Sequence, residues 1–241
     1  MVQMNGKWAA NYIREIIIPD FDMFGKVVTK RLLPTFDTFG TEALEHGEKW
    51  FRGMAAGLDP FDNDQYEAAA YHADKAMDKT IAFADMLVAM YFTSVGVYSV
   101  GLFHLFEQHF ADLPLRIHRE INGYKNEFKR EKIVKNWLKS NLSVDVETFT
   151  AWPVICELKL VANTIKHAEG KSATDLRSRC PDLFIHPAER EREDAHTMPI
   201  QSRVRKPLFG EDLYLTTDDF SRYVDGIISF WSELSTEMAK Q

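Results

Sequence analysis

Residues 86 to 103 read MLVAMYFTSVGVYSVGLF, eighteen positions without a charge, inside a run from Gln65 to Asp112 that holds no proline. Helical periodicity dominates the chain and alternating strand patterns are almost absent, so the chain reads as all-α. Eighteen uncharged residues come close to the lower limit for a membrane span. Against a membrane reading, the run carries Thr93, Ser94, Gly96, Tyr98 and Ser99 and is bounded by Asp85 on one side and His104 and Glu107 on the other. It also lacks a flanking Lys/Arg cluster to orient it. We read it as a central helix of a large core, hydrophobic all round and buried. A single straight helix from Gln65 to Asp112 would be about 70 Å long, whereas a compact domain of this size is about 45 Å across. The run is therefore expected to project or to bend near Thr93 to Gly96, with Pro114 closing it.

Working outward, Asp20 to Leu33 reads as an amphipathic segment stopped by Pro34, and Thr35 to Met54 as a second, with Phe36, Phe39, Leu44, Trp50 and Phe51 as apolar surface. Gly57 to Asn63 is a turn. After Pro114, the basic stretch from Arg116 to Asn141 is read as a solvated face leading into a helix that ends near Ser143. Pro153 suits the first turn of a helix whose core face is Val154, Leu158, Val161 and Ile165, and Gly170 is its expected stop. Ser172 and Asp175 look like the capping box of a short helix ended by Pro181. Residues 186 to 206 read as a surface loop in which Arg190, Arg192, Arg203 and Arg205 pair with Glu189, Glu191, Glu193 and Asp194. A C-terminal helix capped by Thr216 or Thr217 carries the stripe Phe220, Tyr223, Val224, Ile227, Ile228, Trp231 and Leu234, read as core or dimer surface. The expected organisation is one helical domain over 1–241, with N-terminal helices in 1–60, a core in 65–182, and a loop and C-terminal helix in 183–241.

Composition restricts function. At 241 residues with 45% hydrophobic and 27% charged content, the chain can bury a sizeable core. A net charge of −7 argues against an unstructured basic nucleic-acid binder, so any RNA contact must be local. Cys156 and Cys180 lack CxxC spacing and clustered partner ligands and are read as reduced thiols. Arg14 and Glu15 interrupt the apolar N-terminal stretch, unlike a signal peptide, which places the expected protein in the cytoplasm.

The chemistry-bearing stretch is VANTIKHAEG, 161 to 170, where Lys159, Asn163 and His167 fall at successive i,i+4 positions and form a polar line the core does not require. Capping and dipole interactions account for cations and a His at a helix C-terminus. The functional alternative is phosphate chemistry, with His167 exchanging protons, Asn163 positioning a phosphate and Lys159 neutralising charge. Glu157 and Lys166 on the same helix are supporting candidates. In HLFEQH, 104 to 109, His104 and Glu107 lie one turn apart, so the carboxylate can orient the ring, and the pair could complete a pocket with His167. Its His-x-x-Glu order is the reverse of the Glu-x-x-His of two-metal bundles, and no metal or cofactor is expected.

The stretch ELKLVANTIKHAEG, with the all-helical chain and the HLFEQH segment, resembles the HEPN superfamily of small helical proteins. Asn163 and His167 match the Asn and His of its RNxxxH form, while the Arg position is held by Ala162. The resemblance implies a HEPN-like helical bundle with long central helices and appended N- and C-terminal helices, working as a homodimer. It also implies a metal-independent endoribonuclease or toxin of a bacterial-type defence system, acting on RNA through His167 as acid/base, Asn163 as phosphate positioner and Lys159 as charge stabiliser. The alternative is a non-catalytic helical interaction or scaffold protein with a protein partner. Neither implies a membrane.

Overall fold

A computed structural model describes residues 6–58, 62–117, 131–192 and 203–241. Every regular element among them is helical: α1 (Gly6–Tyr12), α2 (Ile18–Val27), α3 (Phe39–Met54), α4 (Asn63–Ile117), α5 (Glu131–Leu142), α6 (Trp152–His167), α7 (Lys171–Arg179) and α8 (Thr217–Met238). The all-α expectation holds.

The first segment starts earlier than its periodicity suggests, because α1 and α2 run together through a wide helical turn at Ile13–Ile17, and a second wide turn follows at Val28–Leu32. Each wide turn ends two residues before a proline, Pro19 and Pro34. A proline ring clashes with the carbonyl four residues back and offers no N–H to it, and a widened turn at that carbonyl relieves both problems. The chain thus keeps helical direction past Pro19 and bends only at Leu33–Phe36.

Four helical rods enclose the core. On α8, Phe220, Tyr223, Ile227, Phe230, Trp231, Leu234 and Met238 are all 0% exposed, and each such side chain contributes roughly 2 kcal/mol of burial. The α1–α2 rod is antiparallel to α8, since Gly6 abuts Met238 and Gly25 abuts Val224. The α6 rod is antiparallel as well, with Thr150 bonded to Glu233 and Glu157 to Arg222. The third neighbour, α4, runs parallel to α8: Tyr91 Oη lies 3.0 Å from Thr217 Oγ1, and the Phe106 and Phe230 rings meet at 5.1 Å. Thr216 caps α8 with a reciprocal bond from Asp219, as the sequence led us to expect.

Two expectations about α4 need correcting. Pro114 does not close it; the helix continues to Ile117 because Leu113 is fully buried and Leu115 and Ile117 pack on the same core. The apolar run is also not buried all round, for Phe92, Val95, Leu102 and Phe103 are inside while Met86, Met90 and Val97 are 47%, 49% and 47% exposed. By length and composition α4 is capable of crossing a membrane, and its most apolar window, of mean hydropathy 1.7, is 33% buried. At 55 residues α4 is about 80 Å long, so it projects.

The projecting N-terminal half pairs with α3 to make a two-helix arm. The two helices approach closely at Gly47, where a Cβ would collide with Thr80 Oγ1 and the Ala76 carbonyl. One side of their seam is closed by His46 stacked on Phe83 at 4.5 Å and Trp50 against His72 at 6.1 Å. At the root of the arm, Gly210 adopts φ 66° and sits so close to the Ala89 backbone that a side chain has no room.

The end of α6 differs from its expected form. The helix stops at His167 and the left-handed residue is Ala168, at φ 58° and ψ −137°, whereas Gly170 is extended at φ 171°. Ser172 is not a cap either, since Gly170 is the N-cap of α7 and no side chain bonds there. In the loop after α7, Arg192 pairs with Glu189 as expected, but Arg190 donates instead to the Ile185 and Tyr214 carbonyls. Glu193, Asp194 and half of the basic stretch, at 118–130, lie outside the described residues.

Candidate functional site

The α6 line is built by a helix whose opposite face is firmly held: Leu158, Val161, Ala162, Thr164 and Ile165 are buried. That fixes Lys159, Asn163 and His167 outward on one face, with Asn163 half-buried and His167 and Lys166 exposed. Among the described residues, no side-chain hydrogen bond or ion pair holds His167, Lys166 or Asn163. Lys159 is held, for its Nζ donates to Glu131 Oε2 at 2.5 Å, and Lys135 takes the other oxygen of the same carboxylate at 3.1 Å. Burial pushes the Glu131 carboxyl up, but the hydrogen bonds and charges of Lys159 and Lys135 outweigh it and hold it below its ordinary range. Cys156 beside this cluster is pushed up by burial and by Glu131. Cys156 and Cys180 are both free thiols.

Glu157 is committed elsewhere. Arg222 of α8 grips both its oxygens, and Tyr223 Oη donates to Oε1 at 2.7 Å. Burial raises the Glu157 carboxyl, and Arg222 and Tyr223 more than reverse this. The knot ties α6 to α8 and lifts the Cys180 thiol to about 11, through burial and the Glu157 charge.

His104 and Glu107 stand on the solvent side of α4, 3.9 Å apart with side chains 67% and 44% exposed. Gly96 faces Ile165 across the antiparallel α4–α6 contact, which puts His104 about 15 Å along α4 from the level of His167. The two histidines do not share a pocket. Among the described residues, no group of three or more His, Cys, Asp or Glu is placed to hold a metal.

The open side of the arm is a second site, one the sequence reading did not single out. A groove of 440 Å³ lies between Leu44 and Phe51 of α3 and Ala73, Met77 and Thr80 of α4. Leu44, Met77 and Ile81 are 61%, 60% and 53% exposed. Beside this apolar line runs an acidic one: Glu67, Asp74, Asp78 and Asp85 recur at intervals of seven, four and seven residues, which confines them to about 40° of helix surface. On the opposite, α3 edge Glu48 lines the groove, with Glu45 three residues before it, and Arg52 at the groove is held by Glu48 at 3.1 Å. The signal in the sequence was this paired apolar and acidic spacing within the proline-free run. It was masked because the other wall of the groove comes from α3.

Comparison with known proteins finds no family model, no curated protein and no solved structure that matches this chain.

Proposed function

We propose that the chain is a non-catalytic helical interaction protein, a soluble cytoplasmic one, whose four-rod body holds out the α3–α4 arm and whose arm docks a helix of another protein. The observation that carries this reading is the concentration of exposed apolar side chains on the arm, with Leu44, Tyr66, Tyr71, Met77 and Ile81 each more than half exposed. Exposed apolar surface on a folded domain, here joined across the groove at Leu44 and Met77, marks a contact site. Two helices that meet on one side and leave a groove on the other present the ridges into which a third helix packs. The test is a photo-crosslinking side chain placed at Met77 of the full chain in its own host, with His104 on the body as control. Adducts to another protein from Met77 and not from His104 are expected. Adducts from neither, together with RNA cleavage that needs His167, would move the function to α6.

The second reading, a HEPN-like endoribonuclease acting as a homodimer, is favoured by the exposed and unbonded His167 and Lys166 with Asn163 one turn behind. Pairing two such helix ends would gather the polar groups that single copies leave apart. Under this reading His167→Ala abolishes RNA cleavage with the fold intact, since removing a general acid/base costs roughly a hundredfold in rate. Ala162, at the Arg position of the RNxxxH motif, is 0% exposed, so a phosphate ligand cannot be supplied from there and the test rests on His167. No cleavage from the folded wild-type protein removes this reading.

A further inference from the structure

We infer that the occupant of the arm groove is a basic amphipathic helix of a partner protein, about 18 residues long, rather than a second copy of this chain; this rests on the interaction reading above. The apolar line of the groove, Leu44, Phe51 and Met77, continued by the exposed Ile81 one turn beyond Met77, supplies the contact for the partner's hydrophobic stripe. The rim specifies charge. Glu67 and Asp85 bracket the acidic line 18 residues apart on α4, a length of about 27 Å or five helical turns. A docked helix with apolar residues at three- and four-residue spacing places its flanking side chains over Glu45 and Glu48 on one edge and over Asp74, Asp78 and Asp85 on the other. Lysines and arginines there meet carboxylates of which Glu45, Glu67, Asp74 and Asp85 hold no ion pair among the described residues.

The same charges disfavour self-association. Pairing two arms across a two-fold axis sets groove on groove and rim on rim, so each acidic row faces an acidic row. Lys75 offsets one position of the row, Asp78 at 2.9 Å, but the arm's lysines do not reach into the groove. Lys75 and Lys79 stand two residues on either side of Met77, and so about 160° round the helix from the groove. Lys49 is five residues from Leu44, about 140° away. Exposed methionine in the groove adds an adaptable surface that accepts aliphatic side chains of varied shape.

The test uses the full chain and two fluorescent 18-residue helical peptides with leucine at the same positions, one with lysine and one with glutamate elsewhere. Anisotropy should rise with the Leu/Lys peptide, weaken with added salt and stay flat with the Leu/Glu peptide. The charge-reversed pair Glu45→Lys with Asp74→Lys should weaken Leu/Lys binding roughly tenfold or more. Met77→Glu should weaken it too, although it adds a negative charge, because the apolar seat is lost; Met77 is exposed, and a thermal melt checks that each variant folds. Equal binding of both peptides would overturn the inference as apolar adhesion without charge recognition, and Leu/Lys binding indifferent to Met77→Glu would overturn it as charge attraction alone. A wild-type dimer that Met77→Glu makes monomeric, with no peptide bound, would assign the groove to a second copy and leave the interaction reading standing. No peptide bound and no crosslink from Met77 would remove both.

Discussion

Lys159 Nζ lies 2.5 Å from Glu131 Oε2, so the cation of the α6 polar line is spent on joining α6 to α5. An ammonium in that pair is already neutralised by a carboxylate that Lys135 also holds. A double-mutant cycle on Lys159→Ala and Glu131→Gln should give a coupling of about 1 kcal/mol, the upper end for a pair with one exposed partner. Because the Glu131 carboxyl is held below its ordinary 4.5, this stabilisation is present above that value and lost as pH falls through it. If Lys159 instead serves phosphate, Lys159→Ala will lower RNA affinity and leave the urea midpoint in place.

The Glu157 knot carries a second acid-sensitive contribution. Removing its charge as Glu157→Gln strands Arg222 and should cost about 2 kcal/mol, between an exposed and a fully buried pair. Glu157 is depressed from 4.5, so wild type loses this stability as pH drops below that value and the variant shows a flatter acid limb. Cys180 gives an independent readout. Glu157 helps raise its thiol to about 11, so the variant should be alkylated at lower pH than wild type. An unchanged alkylation profile would mean that Cys180 does not sense the Glu157 charge.

His109 supplies the opposite end of the bundle with a titrating group. Its ring lies against Phe21 at 5.6 Å and Trp231 at 6.5 Å, with Nε2 3.6 Å from Asp20 Oδ2. Burial lowers its pKa from 6.5, Asp20 and Asp112 raise it less, and Arg116 lowers it further. The unfolded chain therefore binds the proton more readily, and stability present above 6.5 is lost as pH falls below it. His109→Phe should keep the ring packing and remove this part of the slope below about pH 6.5. A slope equal to wild type would place the proton uptake elsewhere.

The fold class was legible because it rests on periodicity, and α6 and α8 carry their buried stripes at helical spacing where they were expected. The continuity past Pro19 and Pro114 was not legible. A proline signals a break by local sterics, and whether the helix resumes depends on tertiary burial, here of Phe21 on one side and Leu113 on the other. The α6 line was found because three polar residues on one face show in one dimension. That Lys159 and Glu157 are held by Glu131 and Arg222, 28 and 65 residues away, does not. The groove failed for a related reason: half of it is α3, and only the pairing at Gly47 brings Leu44 beside Met77.

The stretch VANTIKHAEG ends in a strained residue, and this gives the last prediction. The Ala168 N–H closes the final turn on Thr164 O at 2.8 Å, and then the chain reverses at φ 58° and ψ −137°. The reversal is imposed from the far side. The Glu169 N–H donates to Val204 O at 3.0 Å, and the Glu169 carboxylate accepts from the Val204 N–H at 2.7 Å and from Arg177 at 3.0 Å. A Cβ in this region of backbone space costs on the order of 1–3 kcal/mol, against roughly 0.5–1 kcal/mol of extra chain entropy that a glycine brings to the unfolded state. Ala168→Gly should therefore stabilise the protein by about 1 kcal/mol. Gly170→Ala should be neutral or slightly stabilising, because φ is extended there and nothing lies within 4 Å of the added Cβ. Urea denaturation of both variants beside wild type decides the matter. If Gly170→Ala is the damaging change and Ala168→Gly the neutral one, the helix is stopped by its glycine after all and the clamp from Glu169 to Val204 does not hold.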